Sequence, residues 1–242
     1  MAFVDDFDGP SLDRAAWLPH YLPHWSSRAA SAATYAVEES ELRLTIPRGQ
    51  GLWCEDTHDD PPLRVSGVQS GERDGQLAFR AGLDVRERQP TWWGVTPHYG
   101  RLEIRARMEL SPRSMASVWL AGIEDEPQHS GEICVFEIFG DALDGAESAA
   151  VGMGIKPFRD PALSWDFEAP RLAIDVREPH DYAADWRPGR VEFSVDGELV
   201  RTVAQAPDYP LQFMVAVFDF PAKPGPADHV PLLAVDRIRV DH

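Results

Sequence analysis

The ten residues Arg101-Leu102-Glu103-Ile104-Arg105-Ala106-Arg107-Met108-Glu109-Leu110 alternate polar and apolar without a break. A β-strand turns successive side chains to opposite faces, so this run has one face for a core and one for water. Glu41-Leu42-Arg43-Leu44-Thr45-Ile46 and Arg190-Val191-Glu192-Phe193-Ser194-Val195 repeat the pattern. The second of these runs into Asp196-Gly197 and resumes at Glu198-Leu199-Val200, which predicts a hairpin closed by a two-residue turn. A further alternating run spans Leu233 to Val240. Helix-period stripes are scarce, and 21 Pro and 18 Gly divide the remainder into loops. Many strands with no βα rhythm predict an all-β fold, two antiparallel sheets packed as a sandwich. No linker, repeat or low-complexity segment interrupts it, so residues 1–242 are read as a single domain.

One strand departs from simple alternation. Gly131-Glu132-Ile133-Cys134-Val135-Phe136-Glu137-Ile138-Phe139-Gly140 places two carboxylates in a β-branched and aromatic segment. Strict period two would send Glu137 to the face of Ile133 and Val135, where an unpaired carboxylate costs roughly several kcal/mol. The adjacent apolar pair Val135-Phe136 predicts a β-bulge, whose extra residue returns Glu137 to the face of Glu132. Two glutamates on one sheet face can do acid–base or nucleophilic chemistry.

Composition narrows the partners. Forty acidic against 23 basic residues give a formal charge of −17, which argues against nucleic acid and anionic membrane surfaces. A neutral ligand such as a sugar, or a cation, fits better. No run of about 20 apolar residues predicts a membrane span. Met1-Ala2-Phe3-Val4-Asp5-Asp6 has no basic region leading into an apolar one. The expectation is therefore a protein that stays inside the cell, or one whose leader has been removed. Cys54 and Cys134, neither in a metal-binding spacing, are expected as free thiols. Among eight tryptophans, Trp25, Trp53, Trp92 and Trp93 lie outside the alternating runs, in segments that also carry His20, His24, His58 and His98. Indole faces beside polar groups suit carbohydrate rings, although each such ring could equally plug a core or loop.

The segment Glu132-Ile133-Cys134-Val135-Phe136-Glu137 resembles the Glu-x-Asp-x-x-Glu signature strand of glycoside hydrolase family 16. Phe3-Val4-Asp5-Asp6-Phe7-Asp8-Gly9 with Leu12-Asp13 and Trp17, Tyr99-Gly100-Arg101-Leu102-Glu103, Ser117-Val118-Trp119-Leu120 and His180-Asp181-Tyr182-Ala183-Ala184-Asp185-Trp186 are similar to other stretches of that family, in the family's order. The resemblance spans almost the whole chain. It implies a jelly-roll sandwich with a substrate cleft across its concave face, and cleavage of β-glucans or galactans with retention of configuration. It also implies Glu132 as nucleophile and Glu137 as general acid/base, with the charge on Glu132 keeping Glu137 protonated. A retaining pair needs carboxyl groups roughly 5–5.5 Å apart. Regular strand spacing separates the Cα atoms by roughly 13 Å, so sheet curvature and inward-leaning side chains must close the gap. Trp119 is expected beneath the sugar at the cleavage point, with Trp53, Trp92 and Trp93 along the cleft.

Two positions depart from the family. Cys134 stands where the family has Asp, exchanging a charged hydrogen-bonding group for a thiol that is neutral at pH 7. It is therefore a candidate member of the catalytic group that retunes the reaction, or else a mark of a module that only binds glycans. A third reading makes Cys134 itself a nucleophile or redox sensor, but no cation stands within the motif to lower its pKa. The Asn that many relatives carry near Ala216 is absent, and Asp219 is the nearest substitute. The resemblance requires no cofactor for catalysis. It implies a structural calcium held by the carbonyls of Asp6 and Ser40 and the side chain of Asp236, and oxygen ligands suit that ion. The expectation is a monomeric retaining endo-β-glycosidase acting on a neutral β-glucan, β-1,3-linked first, with a polysaccharide or oligosaccharide as its partner. A non-catalytic glycan-binding module of the same fold is the alternative.

Overall fold

In the computed structural model, which describes residues 2–54, 62–78 and 83–241, the alternating runs become strands of two facing antiparallel sheets. The eight-stranded sheet runs, in spatial order, Glu198–Val203, Arg190–Val195, His180–Arg187, Gly100–Glu109, Leu232–Asp241, Glu41–Thr45 and Thr34–Glu38. Phe3–Asp5 also pairs with Leu232–Asp241. The six-stranded sheet runs Asp166–Glu168, Gly152–Lys156, Glu132–Phe139, Ser114–Gly122, Leu211–Asp219 and Arg64–Gln69. This is the antiparallel sandwich that the alternation predicts and the jelly-roll fold that the resemblance implies. Among the described residues the only helical segments are two single 3-10 turns, and no helix is long and apolar enough to cross a membrane.

Period two sorts the side chains of the eight-stranded sheet. Leu102, Ile104, Ala106 and Met108 point into the core between the sheets, while Arg101, Glu103, Arg105 and Arg107 face outward. The outward charges pair across strands: Arg107 grips Glu41 with Nε and Nη2 at 2.9 and 2.8 Å. The predicted hairpin forms around Asp196-Gly197, both at positive φ (50° and 80°), the geometry that matches the twist of the flanking strands. The Leu232–Asp241 strand is less regular than its sequence reads. Its register with Gly100–Glu109 shifts between Val235 and Arg237, so Val235 and Ile238 both reach the core while Asp236 and Arg237 stay outside.

The six-stranded sheet is apolar on both faces. Val118, Leu120, Phe136, Phe213 and Val215 belong to the inter-sheet core. On the opposite face Met115, Trp119, Cys134, Met214 and Phe218 form a second cluster, packed against Tyr21, Trp25 and Trp53 from two loops. That second cluster floors the concave side of the molecule. Both cysteines are free thiols and both are buried.

Candidate active site

The motif strand carries the predicted bulge. Its partners on Ser114–Gly122 are Glu132 opposite Ala121, Cys134 opposite Trp119, Phe136 opposite Val118 and Glu137 opposite Ser117, with the register shifting between Val118 and Trp119. Val135 is the extra residue. Ile133, Val135, Phe136 and Ile138 all enter the core, and Glu132, Cys134 and Glu137 all line one cavity of about 320 Å³ above the six-stranded sheet. The strand on the other side, Gly152–Lys156, shifts register in step, between Gly152 and Gly154. Gly154 has φ of +144°, and a Cβ there would lie 2.2 Å from the Asp166 carbonyl oxygen, so only glycine fits. This strand sets Lys156 opposite Glu132.

Lys156 reorganises the charge of the site. Its Nζ lies 2.9 Å from Glu137 Oε2, with both side chains lining the cavity. Burial works against the ammonium, but the carboxylates of Glu137 and Glu132 around it hold its pKa above the ordinary value. Glu132 is half-buried in the cavity wall. Burial pushes its pKa up to about 7, a rise that the Lys156 charge opposes, the Glu137 charge reinforces and a Trp119 hydrogen bond opposes. Lys156, 19 positions from Glu137 in the chain, thus pairs with Glu137 while burial raises the Glu132 pKa, so the charge balance of the pair depends on a neighbouring strand as well as on the two carboxyls.

Cys134 does not act as an ionised group. Burial first, and then the Glu137 charge, push its thiol well above the usual thiol range, and Sγ lies 3.9 Å from the Gly152 carbonyl oxygen. A nucleophilic or redox role requires a thiolate, and these surroundings oppose one.

The other candidate residues separate. Trp119 lines the cavity, with its ring centroid 6.2 Å from Tyr21 and 6.3 Å from Phe218. Trp53 does not line it. That indole is only 2% exposed, and its Nε1 donates to the Tyr21 carbonyl at 2.8 Å, so it buttresses Tyr21 from behind. Trp92 and Trp93 form a two-stranded ribbon with Gly71–Glu72 and are not among the cavity residues, because the ribbon stands outside the six-stranded sheet. Asp219 is no sugar ligand. It is buried and gripped by Arg113, Nε to Oδ1 at 2.5 Å, with Arg64 Nη1 3.0 Å from Oδ2. Of the histidines, His98 stacks on Tyr99 and pairs with Asp208 at 3.2 Å, and His58 lies outside the described residues.

Asp236, the expected calcium ligand, stands in an ion-pair cluster. Its Oδ1 is buried without a hydrogen-bond partner, which would suit a cation, and its Oδ2 sits 3.2 Å from Arg105 Nε. Arg105 also binds Asp181, and Arg237 binds Glu103 and Asp181, so both guanidiniums are matched by carboxylates. Among the described residues no group of three or more His, Cys, Asp or Glu side chains could hold a metal.

Sequence reasoning missed Lys156, Tyr21, Gln212 and Phe158 on the cavity wall. Lys156 carries a faint signal, a lone cation in the apolar and Gly-rich run Gly152-Met153-Gly154-Ile155. Nothing local names its partner.

Residues 95–224, more than half of the chain, match the model described as Glycosyl hydrolases family 16. A beta-agarase from Phocaeicola plebeius is 25% identical over 219 residues, which cover 83% of this chain and 61% of the agarase. The GlcNAcα1-4Gal releasing endo-β-galactosidase from Clostridium perfringens aligns in structure with a TM-score of 0.85 at 27% identity, over 98% of this chain and 61% of that one. This chain thus spans less than two thirds of the length of either relative. A laminarinase from Flavobacterium sp. UMI-01 aligns over 99% of both chains with a TM-score of 0.66 and 18% identity, and so shares the fold.

Proposed function

This chain belongs to glycoside hydrolase family 16, and on that footing we propose that it is a retaining endo-β-glycosidase that cuts an internal bond of a neutral glycan in the cleft above the six-stranded sheet. The observation that carries the reading is the bulge at Val135, which puts Glu132 and Glu137 on one cavity wall beside Trp119. In this mechanism ionised Glu132 attacks the anomeric carbon while protonated Glu137 gives its proton to the leaving oxygen. Glu137 then takes a proton from the water that releases the sugar from Glu132. Trp119 offers its ring to the sugar's C–H face.

The resting charge pattern adds one requirement. The pair must pass its proton from Glu132 to Glu137 before attack, and Lys156 stabilises the opposite arrangement. A sugar hydroxyl inserted between Lys156 and Glu137 weakens that ion pair and frees Glu137 to hold the proton. Cys134 brings no charge of its own to this exchange.

The agarase and the endo-β-galactosidase, at 25% and 27% identity, carry names that refer to agar and to β-galactosides. A β-galactoside backbone is therefore the first substrate class to try, with β-1,3-glucan as the second. The test incubates wild type, Glu132→Gln and Glu137→Gln with agarose, a β-galactan, laminarin and mixed-linkage glucan, and measures new reducing ends. Release by wild type that Glu132→Gln abolishes supports the reading. No release from any polymer, or release unchanged in Glu132→Gln, sinks it.

A second reading, a glycan-binding module without turnover, is favoured by the ion pair that ties up Glu137 and by the neutral thiol at Cys134. It predicts oligosaccharide affinity that survives Glu132→Gln, and no hydrolysis after Cys134→Asp.

A further inference from the structure

At the Asp166–Glu168 edge of the six-stranded sheet, Trp165 leaves its indole 65% exposed. An isolated exposed apolar side chain is ordinary; the surroundings of this one are not. Trp165 immediately precedes the edge strand, and its ring lies 6.3 Å from that of Phe167, two residues on and therefore on the same face. Phe167 packs against the apolar cluster that floors the cleft, and Lys156 Nζ stands 4.7 Å from its ring centroid. Lys156 in turn contacts Glu137 at 2.9 Å. An unbroken series of contacts thus leads from the carboxylates to Trp165. Phe158, 45% exposed, lines the cavity as well.

The backbone around Trp165 is held on both sides. Gln205 accepts from the Ser164 amide at 2.8 Å and donates to the Ser164 carbonyl at 2.9 Å. Arg201 Nη1 donates to the Asp166 carbonyl at 2.9 Å and also binds the Asp166 carboxylate. An indole that is exposed yet anchored through its neighbours is pre-organised for a ligand, since little ordering entropy remains to be lost on binding.

We propose that Trp165 is a sugar-stacking platform that extends the cleft beyond the cavity on its Lys156 side and holds a further ring of the same neutral glycan chain. The flat indole presents its face to the C–H face of a hexose. The chain's formal charge of −17 disfavours an anionic ligand. The inference rests on the glycan-cleft reading above and assigns it a length requirement: chains that reach Trp165 are bound more tightly than those that fill only the cavity.

The test compares wild type, Trp165→Ala and Trp165→Phe on whichever polymer of the panel the wild type cleaves or binds, and on the shortest oligosaccharide that it accepts. The expected result is a loss of about tenfold in KM or Kd for the polymer in Trp165→Ala, the scale of one lost aromatic contact. Trp165→Phe should lose less, and the short oligosaccharide should be handled unchanged by all three proteins. Equal behaviour of wild type and Trp165→Ala on the polymer overturns the platform alone, as does an equal loss on long and short substrates. A wild type that neither binds nor cleaves any of the polymers overturns the platform and the glycan-cleft reading together.

Discussion

Lys156 Nζ lies 2.9 Å from Glu137 Oε2, and Lys156 is at the same time the cross-strand neighbour of Glu132. One ammonium therefore faces both motif glutamates across the cavity. It stabilises charge on Glu137 directly, and it opposes the burial that drives Glu132 towards its neutral form. The proton balance of the pair is consequently set from the neighbouring strand.

The pH dependence of activity follows from Glu132. The productive pair carries one proton in total, on Glu137, and in the free enzyme that proton leaves the pair as Glu132 titrates at about 7. We predict that kcat/KM on a cleaved polymer falls as pH rises through about 7. A rate still at its plateau at pH 8.5 would contradict this.

Stability follows the same proton. Between the ordinary value of 4.5 and the raised value of about 7, the folded protein keeps a proton that the unfolded chain has released. Stability therefore falls as pH rises through that window. Glu132→Gln removes the dependence, so the variant should exceed wild type by roughly 1–3 kcal/mol at pH 8 and match it near pH 4. Urea unfolding at the two pH values checks this; a variant weaker than wild type at pH 8 refutes it.

Removing the Lys156 charge should displace the profile. Lys156→Met takes away the group that opposes the Glu132 shift, so the falling limb moves to higher pH by on the order of one unit. Lys156→Arg retains the charge and should keep the limb near that of wild type. The pH–rate profiles of the two variants are the measurement, and coincident limbs would exclude the proposed electrostatic role.

Cys134 should be chemically silent in the folded protein. Burial and the neighbouring carboxylates disfavour its thiolate. Iodoacetamide at pH 7.5 should leave it unmodified by mass spectrometry until the chain is unfolded. Cys134→Asp adds a third buried acid, at a stability cost of roughly 1–3 kcal/mol. If the cleft is catalytic, hydrolysis should rise on the order of tenfold, the worth of one charge-assisted hydrogen bond.

Arg113 and Asp219 form a structural pair away from the chemistry. Arg113→Met leaves Asp219 buried beside Arg64 alone and should cost about 3–5 kcal/mol in urea unfolding. Replacing both members of the pair with apolar residues should recover much of that loss. A single substitution that is neutral would show that Asp219 finds solvent.

Strand positions, the Asp196-Gly197 hairpin and the bulge at Val135 were legible because each depends on neighbours in the chain. Alternation says which face a residue takes, and two consecutive core residues force the extra step at Val135. The bulge at Asp236 was missed because Val235-Asp236-Arg237-Ile238 offers two polar residues in a row, and the local pattern does not say which of them is extra. The tryptophans misled for a related reason. Exposed stacking and buried packing favour the same side chain, and only the loop path shows that Trp53 supports Tyr21 from beneath.

By itself the sequence determined the sandwich, its faces and the acids that share one of them, because side-chain direction along a strand is a local property of the backbone. The rise in the Glu132 pKa and the pairing of Glu137 with Lys156 were decided only by tertiary structure. That outcome depends on solvent exclusion and on a charge from another strand, and both arise when residues distant in the chain are brought together.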